Sequence, residues 1–215
     1  MVLLDLIVIT SMSVLAVASV VWYFRMRRKM LVLMKKVTED LEKSFKPVDK
    51  AYVLLGYLVG YRAKYDLENG DKVYILLTTA PRHSILYYPI ARALKRTDRL
   101  EVAIANYSRY VSKELHAVLA SDTRTHALLL RDLGSKRDLI STRTIETTRG
   151  RYVVYYEDSG DVEFVRKLVE AASFRVFRIS AFTKDNLVGL AVEVVEGAVP
   201  EVVKLLRELN RYATR

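Results

Sequence analysis

Residue types that commonly carry catalysis are sparse in this chain and lack catalytic spacing. The sequence has no Cys, which excludes a disulfide, a thiolate metal site and a Cys nucleophile. Its three histidines, His83, His116 and His126, do not have the spacing of metal ligands. The glycine-rich phosphate-binding, metalloprotease and serine-hydrolase motifs do not occur. We therefore predict a non-enzymatic protein with no metal, no cofactor and no small-molecule substrate.

Two neighbouring acid and hydroxyl pairs have a structural interpretation. Asp122 precedes Thr123 and Asp158 precedes Ser159, and each pair stands before a run with helical periodicity. An Asp side chain at this position accepts hydrogen bonds from the first backbone N–H groups of a helix. We therefore interpret both pairs as helix caps, with Asp158 or Ser159 as the cap of the second helix, rather than as partners of a nucleophile.

Arginine and lysine have the clearest chemical potential, because clusters of them bind phosphate-bearing partners. One cluster lies between residues 82 and 99, next to Tyr87 and Tyr88, and another between residues 143 and 151. Such clusters attract RNA backbones and anionic lipid headgroups without reading a base sequence. No nucleic-acid-binding motif accompanies them. The candidate contacts to ribosomal RNA or lipid are Arg82, Arg92, Lys95, Arg96, Arg99, Arg143, Arg149 and Arg151.

Positive charge is concentrated in one short block of the chain. Residues 25–36 contain six cations and no acid, whereas residues 1–24 contain a single acid, Asp5. The remainder, residues 37–215, contains 29 cations and 24 acids. The formal net charge of +10 therefore divides into −1, +6 and +5 along the chain. More than half of the basic excess lies in a block that directly follows an apolar stretch.

That apolar stretch, Leu3 to Phe24, has the length of a membrane span. About 21 residues at about 1.5 Å each extend about 31 Å, which matches a hydrocarbon core of about 30 Å. A cleavable signal peptide would instead carry its cations before a shorter apolar run and end in a cleavage site. Here the cations follow the run. We predict a transmembrane anchor over residues 1–24.

Aromatic and basic residues at the end of this anchor predict its orientation. Trp and Tyr rings favour the headgroup level, and Lys and Arg are enriched on the cytoplasmic side of a membrane helix. The N-terminus is therefore expected outside and the rest of the chain in the cytoplasm. The membrane would be the cell membrane, or that of the endoplasmic reticulum if the source is eukaryotic. The residues for membrane interface and topology are Trp22, Tyr23, Arg25, Arg27, Arg28, Lys29, Lys35 and Lys36.

Residues 25–47 are predicted to be a basic juxtamembrane and amphipathic stalk helix. Apolar residues recur at steps of three and four, so they share one helix face. Pro47 ends the helix, because the residue before a proline is disfavoured in helical conformation. The apolar face either packs on the following domain or lies on the lipid surface. Its residues are Met30, Met34, Val37, Leu41 and Phe45.

Residues 48–215 are predicted to form one cytosolic α+β domain. Alternating apolar and polar residues predict a strand from Tyr61 to Leu67, and Asn69-Gly70 predicts a type I′ turn into a second strand. Further hairpins and helices follow in the order typical of a mainly antiparallel or mixed sheet packed by helices. The closing helix has Pro200 in its first turn, where proline is tolerated.

Two segments of this domain carry weaker signals. The tract SILYYPIARALK, residues 84–95, predicts a helix that Pro89 interrupts near its start. A second helix is expected after Asp122, to about Lys136. The polar stretch SKRDLISTRTIETTRGR, residues 135–151, has few apolar residues and is expected to be the longest loop.

Four segments, in this order, resemble the cytosolic domain of the calumin family. They are LLGYLVGYRAKYDL, YILLTTAPRHSILYYPIARALKRTDRLEVAI, HAVLASDTRTHALLLRDL and FRVFRISAFTKDNLVGLAVEVVEGAVPEVVKLL, within about residues 40–212. Calumin is the coiled-coil-domain subunit of the PAT complex, an intramembrane chaperone that works at the translocon on multipass membrane proteins. The resemblance implies one membrane helix, a cytosolic domain, and as partners Sec translocon subunits, the ribosome, nascent membrane proteins and a small membrane protein.

The chain departs from that family at both ends of the domain. The long acidic lumenal region is reduced to a few residues and the basic coiled-coil tail has no counterpart, so ribosome contact would depend on the cations of residues 82–99 and 143–151. The first hypothesis is a translocon-associated factor that assists insertion or folding of multipass membrane proteins. The alternatives are a membrane-tethered RNA- or anionic-lipid-binding protein and a membrane-anchored enzyme without a recognisable motif.

Overall fold

In a computed structural model, one long helix precedes a nine-stranded antiparallel sheet. The structure describes residues 2–56, 58–94, 96–107, 109–134 and 140–214. The helices are α1 (Val2–Phe45), α2 (Tyr88–Ala93), α3 (Thr123–Leu133), α4 (Ser159–Ala171) and α5 (Val199–Ala213). The strands are β1 (Asp49–Gly56), β2 (Gly60–Asp66), β3 (Lys72–Thr78), β4 (Arg99–Ala105), β5 (Leu115–Leu119), β6 (Ser141–Thr147), β7 (Gly150–Tyr156), β8 (Val176–Phe182) and β9 (Leu187–Glu193). The α+β class with an antiparallel sheet is confirmed.

The strand order determines which parts of the sheet are covered. The order is β1-β2-β3-β4-β9-β8-β5-β7-β6, so β1 and β6 are the edges. The main core packs α1, α4 and α5 against one face of the sheet. On the other face, α3 packs Leu129 and Leu133 against Val118, Tyr155 and Phe182, which belong to β5, β7 and β8. The outer face of β2, β3 and β4 is therefore free of helices in the described part of the chain.

Helix α1 runs without a break from the apolar segment, residues 3–24, into the core of the domain. Its apolar window has a mean hydropathy of 2.2 and is not buried inside the protein, so in length and composition it could cross a membrane. Val37, Leu41 and Phe45 are buried in the main core. The helix ends there, before Pro47. Of the two alternatives for the stalk, the structure has the one in which its apolar face packs on the domain.

Polar side chains also fasten α1 to the first strands. Tyr52 donates a hydrogen bond to the Glu42 carboxylate, and Lys50 Nζ lies 2.7 Å from the same group. The hydrogen bonds from Lys50 and Tyr52 hold the pKa of Glu42 below its usual range. Burial, followed by the hydrogen bond to Glu42, raises the pKa of Tyr52. A neutral phenol therefore donates to an ionised carboxylate near neutral pH.

The β2–β3 turn differs from the predicted type I′ turn. Such a turn needs positive φ at both central residues, but in this turn Gly70 has a φ of 84° and Asn69 is not in the positive-φ region. The Gly70 N–H donates to the carbonyl of Leu67, and the Asp71 N–H donates to Asn69 Oδ1. The prediction was wrong because a local side-chain hydrogen bond makes a longer loop with a single left-handed glycine.

The polar stretch of residues 135–151 is not the long loop that its composition predicted. It contains β6, which pairs with β7, and Ile145 is the buried residue of that strand. An edge strand exposed on both faces lacks the alternating apolar pattern by which strands are recognised. Strand β1 escapes prediction for the same reason, because all of its residues are exposed. Residues 135–139 of the stretch lie outside the described residues.

Candidate membrane-facing site

The connection between β3 and β4, residues 79–98, packs against the C-terminal end of the apolar segment. Trp22 Nε1 donates a hydrogen bond of 2.9 Å to the carbonyl oxygen of Arg82. The Trp22 ring lies 6.1 Å from the ring of Tyr88, and the Tyr23 ring lies 6.2 Å from that of His83. The domain therefore contacts the two aromatic residues that were predicted to lie at a membrane interface.

A buried aspartate ties the β3–β4 connection to the sheet. Asp98 is 4% exposed, and its Oδ1 accepts a 2.8 Å hydrogen bond from the Ala80 N–H. Its Oδ2 lies 2.9 Å from Arg82 Nη2, while its backbone carbonyl accepts from the Val194 N–H in the segment after β9. One side chain thus joins the start of the connection to its end and holds Arg82, whose carbonyl binds Trp22.

Helix α2 presents large apolar side chains away from the domain. It is shorter than predicted, because residues 85–87 form a turn and Pro89 occupies its first turn. Ala91 is buried, whereas Leu86, Ile90 and Leu94 are 72%, 53% and 60% exposed. Steps of four residues place these three side chains on one side of α2 and its preceding turn. The result is an apolar surface beside the end of the apolar segment.

The turn between β1 and β2 is hydrogen-bonded to the start of the β3–β4 connection. The Thr79 N–H donates to the carbonyl of Val59, and the Thr79 hydroxyl donates to the carbonyl of Leu58. Val59 is itself exposed, as is Leu54 near the end of β1. Exposed apolar side chains from two connections therefore occur at the same end of the sheet.

Two of the cations predicted to contact RNA or lipid also form ion pairs within the domain. Arg82 pairs with Asp98, and Arg99 lies 3.0 Å from the Asp122 carboxylate. Burial opposes ionisation of Asp122, but the hydrogen bonds from Thr125 and the charge of Arg99 outweigh it and lower its pKa. Asp122 also caps α3 as predicted, by accepting a hydrogen bond from the Thr125 N–H.

Other cations of the β3–β4 connection face solvent. Arg92 and Arg96 are exposed, and the Arg96 guanidinium lies 5.9 Å from the centre of the Tyr87 ring. Lys95, predicted in the same group, lies outside the described residues. Arg92 and Arg96 are the members of this group that the structure leaves accessible to an anionic partner.

The second predicted cluster lies on the β6–β7 hairpin, at the far edge of the sheet. Arg143 and Arg149 are exposed, whereas Arg151 pairs with Glu146 at 2.6 Å. Five strands separate β3 from β6. At about 4.8 Å per strand, the two clusters are about 29 Å apart along the sheet. The structure therefore does not combine them into a single basic surface.

The cations of the juxtamembrane block surround α1 just beyond the apolar segment. Arg27 is half-buried, and Lys36 Nζ lies 2.7 Å from Glu196 Oε1, in the segment before α5. That hydrogen bond, with the charge of Glu196, raises the pKa of Lys36. The exposed members of the block, besides Lys36, are Arg25, Arg28, Lys29 and Lys35. Part of the block therefore also attaches α1 to the domain.

A further basic surface, on α5, was not predicted from the sequence. Lys204, Arg207 and Arg211 are exposed along α5 and line a groove of about 700 Å³ with Phe164 and Tyr212. These two rings stack 3.8 Å apart. The spacing of the cations, three and then four residues, places them on one helix face. The same spacing could have identified this surface from the sequence.

The uncovered sheet face forms a shallow trough of about 330 Å³. Its floor is formed by small and apolar residues such as Ala103, Gly189 and Leu187, and Arg62 and Glu101 are among its polar residues. Elsewhere, His116 lies 3.0 Å from Glu114 and His126 lies 2.7 Å from the Tyr155 hydroxyl. Among the described residues, no group of three His, Cys, Asp or Glu side chains could hold a metal ion.

Comparison with known proteins assigns no family to the chain. No protein-family model matches its sequence, and no curated protein matches it at a significant level.

Proposed function

We propose that this chain is a single-pass membrane protein whose cytosolic domain works beside the Sec translocon and assists insertion or folding of multipass membrane proteins. The observation that carries the proposal is the packing of residues 82–88 on Trp22 and Tyr23. A domain connected by a flexible linker could move freely below the membrane. This domain is instead fastened to the end of the proposed anchor.

Charge supports the proposed orientation. The apolar segment is directly followed by six cations within residues 25–36. Lys and Arg close to a membrane helix favour the cytoplasmic side, so the N-terminus would lie outside. Asp5 lies near the outer end of the segment, where an ionised side chain costs less than at the bilayer centre.

The exposed cations suit contact with ribosomal RNA. Arg92 and Arg96 are exposed and lie next to the proposed membrane surface. The α5 stripe, Lys204, Arg207 and Arg211, provides a further basic surface on the domain. Clusters of this kind attract phosphate backbones at long range and without sequence preference. A small membrane-protein partner could pack on the exposed apolar segment of α1.

Co-purification is the test of this function. We expect the tagged full chain, extracted from its native membrane in mild detergent, to recover Sec subunits or translating ribosomes. Ribosome recovery should fall as salt rises, because phosphate contacts are weakened by salt. The charge-reversal variant R92E/R96E should reduce it, whereas the matched reversal R124E, on α3, should leave it unchanged. Recovery of neither Sec subunits nor ribosomes would contradict the proposal.

The exposed arginines at the opposite sheet edge favour one alternative, an RNA- or anionic-lipid-binding protein unrelated to insertion. Arg143 and Arg149 extend from the β6–β7 hairpin, far from the proposed translocon side. Tight, salt-sensitive binding of naked RNA by the purified chain, without recovery of Sec subunits, would favour this alternative. Loss of that binding when Arg143 and Arg149 become Glu would place the RNA on the β6–β7 hairpin.

A further inference from the structure

We propose that the β3–β4 connection is a second membrane-binding element, in which Leu86, Ile90 and Leu94 insert into the headgroup region of the bilayer around α1. This inference rests on the proposed membrane attachment through the apolar segment. It adds a contact between the domain itself and lipid. Lipid, rather than another protein, covers the exposed apolar surface.

The position of α2 supports insertion. The Tyr88 ring lies 6.1 Å from the Trp22 ring, and Ile90 follows Tyr88 by two helical residues, or about 3 Å along the axis. Trp rings favour the headgroup level of a membrane, so Ile90 lies close to the same depth. Amphipathic helices in this region bury their apolar side about 5–10 Å into the boundary between headgroups and acyl chains. The exposed apolar surface is thus continuous with the end of the anchor.

The charge of the connection supports anionic lipid as the occupant. Residues 79–97 contain no Asp or Glu, and Asp98 is buried and neutralised by Arg82. Arg92 and Arg96 are exposed on either side of Leu94, and the long side chains of arginines reach headgroups while their stems lie against apolar surface. A bilayer around α1 meets this surface without any additional partner, whereas a soluble protein would have to enter the interface to cover it.

The opposite end of the sheet provides an internal control. The Tyr107 N–H donates a hydrogen bond to Asp71, which immediately precedes β3. The β3–β4 connection begins at the other end of this strand. A strand of this length extends about 20 Å. Tyr110, 85% exposed in the loop that follows Tyr107, should therefore remain in water when Ile90 contacts lipid.

Because the chain contains no Cys, a single introduced Cys allows one position at a time to be labelled. The variants I90C, Y110C and V14C, each in the full chain, would be labelled with bimane and placed in nanodiscs of phosphatidylcholine and phosphatidylglycerol. Quenching is measured with nitroxide-labelled lipid and, separately, with aqueous iodide. We expect the label at position 90 to lose most of its emission to the lipid quencher, as at position 14, while the label at position 110 responds to iodide. All three replaced side chains are exposed, so folding should be retained.

Different results overturn different claims. In one such result, iodide quenches the labels at positions 90 and 110 equally, while lipid quenches the label at position 14. This result would leave the anchor intact and reject insertion of α2. Protection of position 90 from both quenchers would mean that protein covers the surface, and would also reject it. A label at position 14 that responds to iodide alone would contradict the membrane anchor itself. Introducing R92E/R96E into I90C should weaken lipid quenching, and more so in anionic nanodiscs than in phosphatidylcholine alone.

Discussion

Leu41→Ala should lower the free energy of unfolding of the domain by about 2–5 kcal/mol, the range for removing a leucine side chain from a packed core. Leu41 is 0% exposed and belongs to the main core, although it lies in the same helix as the apolar segment. The loss combines the transfer energy of the deleted methyl groups with the cavity that remains. A large effect would mean that the stalk is an integral part of the domain.

The comparison that isolates burial is Leu31→Ala, in the same helix. Leu31 is 44% exposed, so its replacement by Ala deletes the same atoms from a position outside the core. Urea unfolding of the full chain in detergent, followed by near-ultraviolet circular dichroism, measures both variants. We expect the control to change stability by less than about 1 kcal/mol, as is usual for exposed positions. Equal effects of the two substitutions would mean that α1 does not pack on the domain as described.

Asp98→Ala should destabilise the β3–β4 connection by about 2–3 kcal/mol. The substitution leaves the Ala80 N–H buried without its acceptor and frees Arg82 from its carboxylate. Hydrogen bonds to a charged group contribute about 1.5–3 kcal/mol, and a buried donor without a partner has a similar cost. Since Arg82 is partly exposed, it can be solvated again, which keeps the effect below that of breaking a fully buried ion pair.

Hydrogen exchange measured by mass spectrometry tests this prediction locally. Peptides that cover residues 79–94 should exchange faster in Asp98→Ala, while those from β5 and β8 should change less. Asp98→Asn keeps an acceptor for the Ala80 N–H, so it should fall between the alanine variant and the unmodified chain. Asp132→Ala removes an exposed partner of Arg178, 3.5 Å away, and should cost at most about 1 kcal/mol. Unchanged exchange in residues 79–94 would show that Asp98 does not hold the connection.

The elements that were predicted correctly are those with strong local signals. The apolar length of residues 3–24 and the steps of three and four on the stalk predicted a continuous α1, and the structure has one. Asp158 caps α4 with the reciprocal hydrogen bonds of a capping box, in which Asp161 binds the backbone of Asp158. Such signals act over a few residues, which is why one sequence was sufficient for them.

The elements that were missed depend on partners distant in the chain. Strands β1 and β6 are paired on one side only and are largely exposed, so their residues carry no buried face to recognise. For the candidate site, the sequence identified Arg82 and Arg99 by type alone. Their pairing with Asp98 and Asp122 depends on the folded sheet, so the sequence alone did not predict it.

The most direct test of the account is the side of the membrane on which each end of the chain lies. Leu3→Cys and Tyr110→Cys, each the single cysteine of its chain, would be exposed in intact spheroplasts to a membrane-impermeant maleimide. We predict labelling of position 3 in intact spheroplasts and of position 110 only after lysis, with both chains retained in the membrane after alkaline carbonate washing. Labelling of position 110 in intact spheroplasts, or release of the chain by carbonate, would contradict a cytosolic domain held at the membrane by α1.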